Sequence, residues 1–192
     1  MLLTIKKKTM IQGTELFNLI SRDSMSWLDN SEKLKFSSEI IYNELQKLIE
    51  PFQKGIQNYE DEDKIIALWA SYYLLIGHAL ENLIKGLSIE NNRAANNIEE
   101  IYKKWNYKSG HGISKIANDN ISNLTNDEVK ILEKLEIYIL WAGRFILPKY
   151  ADTFIKEENS LYYETSDYNT INVLFDKIKD MILIEWEKNN SK

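Results

Sequence analysis

Cysteine is absent from the 192 residues, which excludes disulfide frameworks, thiolate nucleophiles and cysteine-based zinc or iron–sulfur sites. A reducing compartment fits this composition, so a cytoplasmic location is expected. Histidine occurs only as His78 and His111, which rules out a histidine-rich metal centre, and no metal is assigned. There is no glycine-rich phosphate loop, no His-Glu-x-x-His and no Gly-x-Ser-x-Gly, so the enzyme classes those motifs mark are unsupported and no cofactor is expected. The two prolines, Pro51 and Pro148, both fall where helical patterns stop. The longest apolar run, residues 65–75, soon meets Gly77, His78, Glu81 and Lys85, short of the ~18 apolar residues a membrane span requires. No membrane partner is expected. Residues 1–8 place their apolar side chains ahead of Lys6, Lys7 and Lys8, the reverse of a secretory signal, and read as a loose arm. A net charge of −5 provides no overall attraction to phosphate backbones, so any nucleic-acid site must be local.

What remains is apolar, aromatic and helical. With 44% hydrophobic residues, five Trp, eleven Tyr and six Phe, the chain can fill one sizeable core and is expected to form a single domain over 1–192. Apolar side chains recur at helical spacing over residues 9–27, 31–50, 61–89, 126–144 and 167–187, predicting an all-α, up-and-down bundle of about five main helices. Residues 91–126 read as a loop-rich insertion with short helices, one carrying Ile98, Ile101, Tyr102 and Trp105 and another near 113–118. Asp29 with Glu32, and Thr125 with Glu128, have the spacing of capping boxes. Trp69, Trp141 and Trp186 lie on apolar stripes and are expected in the core.

Within helix 61–89, Trp69, Tyr73, Ile76, Leu80, Leu83, Ile84 and Leu87 share one face, and His78, Glu81, Asn82 and Lys85 lie roughly opposite. Such a set can form a polar ligand-binding pocket. It can equally be an ordinary Glu81–Lys85 pair at i, i+4 with His78 and Asn82 bonded to nearby backbone or solvent. His111, between Gly110 and Gly112, can project from a flexible loop or simply sit in a turn. Arg144 is one of only three arginines. Its guanidinium can grip phosphate, or cap a helix end and stack on Trp141 or Phe145.

Three segments together resemble HEPN-like (higher eukaryote and prokaryote nucleotide-binding) helical domains: residues 72–87 (YYLLIGHALENLIKGL), 110–117 (GHGISKIA) and 132–148 (LEKLEIYILWAGRFILP). Ala79, Glu81 and Lys85 match an A-x-E-x-x-x-K patch, Gly110 and His111 a G-H segment, and Arg144, Phe145 and Pro148 an aromatic-Arg-aromatic-Pro turn. The resemblance implies a bundle with four core helices that forms a homodimer, with a nucleotide, RNA or cognate protein as partner, in a toxin–antitoxin or phage-defence setting. Many such domains are metal-independent ribonucleases with an Arg followed four to six residues later by His. No arginine of this chain has that partner. The resemblance therefore implies a non-catalytic binding bundle with His78, Glu81, Asn82 and Lys85 at its site. Two alternatives stand beside it: a divergent ribonuclease using Arg144 and His111 as catalytic residues, and a structural dimerising adaptor.

Overall fold

The structure, a computed structural model, describes residues 13–55, 59–94, 98–145 and 147–191. The expected arm at 1–8 and the first residues of the helix expected at 9–27 lie outside them. The described residues are helical, without strands: α1 Gly13–Ser21, α2 Ser24–Gln53, α3 Tyr59–Asn91, α4 Ile98–Lys104, α5 Ile113–Asn120, α6 Asn126–Ile137, α7 Ala151–Glu157 and α8 Thr165–Asn190. No helix among them is long and apolar enough to cross a membrane.

Side-chain pairings give the directions. Ser24 bonds Glu90, Ser31 bonds the Ala79 carbonyl, and Tyr42 packs on Tyr72, so α2 and α3 run antiparallel. Lys134 meets Asp167 and Lys177 meets Glu128, so α6 and α8 are also antiparallel, while Tyr73–Asp167 and Glu90–Asn189 align α8 with α3. The four long helices alternate in direction along the chain. Their shared core contains Tyr73, Leu80, Leu83, Ile84, Leu132, Leu135, Ile171, Leu174 and Ile178, each fully buried. At about 1.5–3 kcal/mol for each large apolar side chain removed from water, this layer is the main source of stability.

Several boundaries differ from expectation for identifiable reasons. The helix expected at 9–27 breaks at Arg22 and Asp23, because the Asp23 carboxylate accepts from the amides of Met25 and Ser26, at 3.3 and 3.1 Å, and starts a new helix. Asp29 and Glu32 do not cap: α2 runs through them, Asp29 pairs with Lys33 and Glu32 with Lys179. A cap requires non-helical backbone, which spacing alone does not report. Thr125 and Glu128 do form both bonds of the capping box at α6. Residues 151–157, between the periodic stretches 126–144 and 167–187, form α7. Trp141 is buried and Trp69 half-buried, but Trp186 is 37% exposed. Leu16, Phe17 and Ile20 of α1 are exposed as well. Periodicity sets which residues share a face, and only the packing of other elements decides whether that face is covered.

Candidate functional site

The polar side of α3 is not a solvated face. Glu81 has a side chain only 7% exposed, and three groups converge on its carboxylate. Lys85, one turn on, places Nζ 2.5 Å from Oε1; His78, one turn back, places Nδ1 3.1 Å from Oε2; and His111 places Nδ1 3.0 and 3.1 Å from the two oxygens. Burial pushes the Glu81 carboxyl up, but the His78 hydrogen bond, the charge and hydrogen bond of Lys85 and the His111 ring outweigh it and hold the group at about 2. At neutral pH Glu81 is therefore ionised and only accepts hydrogen bonds, so Nδ1 is the donor on both rings. The tautomer follows from this. The Nε2 atoms are the remaining ring nitrogens, and among the described residues neither has a hydrogen-bond partner. Both imidazoles are about one-third exposed, with centroids 6.3 Å apart.

His111 reaches this cluster from 30 positions away in sequence through a short strap. Residues Tyr107–Gly110 form a tight turn in which Lys108 (φ 49°), Ser109 (φ 55°) and Gly110 (φ 90°) are all left-handed. Only the glycine takes that conformation freely, and each of the other two costs roughly 1–2 kcal/mol. The His111 amide closes the turn on the Lys108 carbonyl at 3.1 Å, and α5 follows. Beside Lys85 a groove of about 460 Å³ opens, lined by acidic Glu99 and by Tyr102, Lys103, Trp105, Asn106, Ser109 and Gly110 as well as Lys85. Lys85 lies over the Trp105 ring, 5.4 Å from its centroid. Composition and spacing mark Tyr102 and Trp105 as core residues of a short helix and do not signal this groove.

Two of the expected site residues have other partners. Asn82 donates to the His78 carbonyl at 2.7 Å and accepts from Asn30 of α2 at 3.3 Å, so it braces the His78 turn and does not join the cluster. Arg144 donates to the Leu140 carbonyl at 2.7 Å and stacks on Phe145. Among the described residues no bond joins it to His111. Its neighbour Gly143 packs on the His78 side of α3. After α6 the chain widens into a π-helical turn, Tyr138–Ala142, whose last bond runs from the Gly143 amide to the Tyr138 carbonyl. Gly143 then presses on Leu74, one turn before His78, and a Cβ there would lie 2.8 Å from Leu74 Cβ and 2.9 Å from the Tyr138 carbonyl oxygen. Neither atom is the tip of a flexible side chain. Gly143→Ala is expected to cost about 1–3 kcal/mol in chemical denaturation through overpacking.

Among the described residues no group of three or more His, Asp or Glu is arranged to hold a metal ion. A second buried polar cluster lies on the side of α3 facing α6 and α8, where Asp167 accepts from Lys134 at 2.6 Å and from the Tyr73 hydroxyl. Burial, and then the bond to Asp167, push the Tyr73 hydroxyl well above its ordinary range, so it stays protonated as the donor. Comparison of the chain with protein-family models, curated proteins and solved structures finds no match.

Proposed function

We propose that the chain is an HEPN-like, non-catalytic bundle that binds a phosphate-bearing ligand, a nucleotide or RNA, at the cluster of His78, Glu81, Lys85 and His111. The observation that carries this reading is the convergence of two imidazoles and an ammonium, from two separate segments, on one almost buried carboxylate. Glu81 balances the Lys85 charge and fixes both rings with Nε2 available to a ligand. The adjoining groove adds Lys103 as a second cation and the Tyr102 ring as a stacking surface, a combination suited to a single-stranded or mononucleotide ligand. Local cations of this kind act despite the net charge of −5, because surface charges beyond about 8–10 Å are screened at physiological salt.

The test is fluorescence anisotropy with a labelled single-stranded RNA oligonucleotide and competing ATP. Glu81→Ala/Lys85→Ala, checked for retained helicity, is expected to weaken binding by at least roughly tenfold, or 1.4 kcal/mol. Lys103→Ala is expected to flatten the salt dependence of log K by about 0.7, the share of one phosphate contact on a single strand. Intact folding, self-association and ligand binding in the double variant would overturn the reading.

One observation favours a catalytic alternative. The two imidazoles are 6.3 Å apart by ring centroid, with Nε2 atoms that have no hydrogen-bond partner among the described residues, a spacing that suits an acid–base pair. In this reading the neutral ring takes the proton of an RNA 2′-hydroxyl at Nε2 as that oxygen bonds to phosphorus, and the other ring, charged with a proton on Nε2 as well as Nδ1, gives it to the 5′-oxygen as the phosphorus–oxygen bond breaks. His78, and not Arg144, is then the partner of His111. Metal-independent cleavage that disappears in both His78→Ala and His111→Ala would support this second reading, and a clean preparation without cleavage would count against it.

A further inference from the structure

Glu136 of α6 is a buried carboxylate with no part in the cluster, 1% exposed, and all its partners flank His111. Its Oε1 accepts from the Ser114 amide at 2.7 Å and the Ser114 hydroxyl at 2.6 Å, and its Oε2 accepts from the Lys108 ammonium. Lys108 opens the left-handed turn and Ser114 lies in the first turn of α5, so a single carboxylate holds the chain three residues before and three residues after His111. The Lys108 side chain is about one-third exposed and Glu136 almost wholly enclosed, which makes α6 the fixed member of the pair and the strap the held one. Left-handed backbone at two successive non-glycine residues persists only where the surroundings impose it. Among the described residues, the hydrogen bonds from α3 to this segment reach the His111 ring and not the left-handed backbone.

We infer that Glu136 is a positioning residue for the candidate site: through Lys108 and Ser114 it clamps the strap and so holds the His111 ring on Glu81. The inference rests on the reading of the cluster as a binding site, but its structural half can be tested without any ligand. It also accounts for the buried charge. An apolar side chain at 136 would fill the space without orienting a turn, whereas the carboxylate fixes three donors at defined positions.

The chain has only two histidines, so their imidazole Cε1–H signals in a ¹H–¹³C spectrum are resolved and assigned with His78→Gln and His111→Gln. At fixed neutral pH, Lys108→Ala is expected to move or broaden the His111 signal strongly and the His78 signal less, with Lys108→Arg restoring the wild-type position. Ser109→Gly eases the left-handed turn but leaves the clamp intact, and its His111 signal is expected to stay in place. Glu136→Gln is expected to behave as Lys108→Ala does, with RNA binding weakened roughly tenfold in both. An unmoved His111 signal in Lys108→Ala and in Glu136→Gln, with helicity retained, would overturn the inference. Equal displacement in Ser109→Gly and Lys108→Ala would also overturn it, by assigning the effect to backbone stiffness. If the signal moves but the wild-type protein binds neither RNA nor nucleotide, the clamp stands and the binding reading falls.

Discussion

Glu81→Gln is expected to lower stability at neutral pH by about 3 kcal/mol and to remove the share of the acid sensitivity between pH 4.5 and pH 2 that Glu81 supplies. The sign follows from linkage. The carboxyl is held at about 2 in the folded chain against an ordinary 4.5. Its contribution is therefore fully present above pH 4.5 and is lost as pH falls through the folded value. At 1.36 kcal/mol for each unit, a difference of this size corresponds to about 3 kcal/mol. A neutral amide keeps the shape but leaves Lys85, with a side chain 12% exposed, without a counter-charge, and removing one partner of a buried pair costs more than the pair contributes. Urea denaturation of both proteins at a series of pH values provides the check. Parallel stability curves for wild type and variant down to pH 2 would show that Glu81 is not held as described.

Asp167→Ala is expected to be at least as damaging, about 3–5 kcal/mol, for a different reason. Lys134 and Asp167 have side chains 9% and 10% exposed, and the Tyr73 hydroxyl donates to the same carboxylate. Truncating Asp167 leaves an ammonium and a hydroxyl buried together without their acceptor. Lys134 also lies over the Tyr73 and Tyr162 rings, contacts that soften the loss without replacing the charge partner. Among the described residues the partners of this cluster lie on α3, α6, α8 and the segment just before α8, and none belongs to the proposed site, so below its lowered melting temperature the variant is expected to bind RNA as the wild type does. Calorimetry and anisotropy on one preparation separate the two effects, and a loss of binding in fully folded Asp167→Ala would show that the clusters are coupled.

The long helices are legible because burial and period agree within each of them: Tyr73, Ile76, Leu80, Leu83, Ile84 and Leu87 are predicted to share a face of α3, and all are buried. The break at Asp23 carries a local signal, an aspartate with Ser26 three residues on, but the periodicity on either side conceals it. What is not legible at the site is tertiary. Glu81 lies opposite the apolar stripe, where a polar pocket and an ordinary pair with Lys85 have the same spacing. It is enclosed because a strap from 30 residues away closes over it, and that strap depends on left-handed Lys108 and Ser109, residue types that carry no such preference. Glu136 is hidden for the same reason, since one carboxylate on an amphipathic helix looks like any solvated one until its partners arrive from another segment. Arg144 shows the reverse case. Its surroundings match either a phosphate grip or a helix cap, and its bond to the Leu140 carbonyl is of the kind a cap makes.

The convergence of both histidines on a single carboxylate is tested most directly by the two imidazole Cε1–H signals at neutral pH, recorded for wild type, Glu81→Gln, His78→Gln and His111→Gln. The geometry predicts that Glu81→Gln displaces both signals, and that each histidine substitution displaces the signal of the surviving ring, since both rings donate to the same two oxygens. Signals that coincide with those of the unfolded chain and stay in place in Glu81→Gln would mean that His78 and His111 do not meet on Glu81, and the proposed site would not exist.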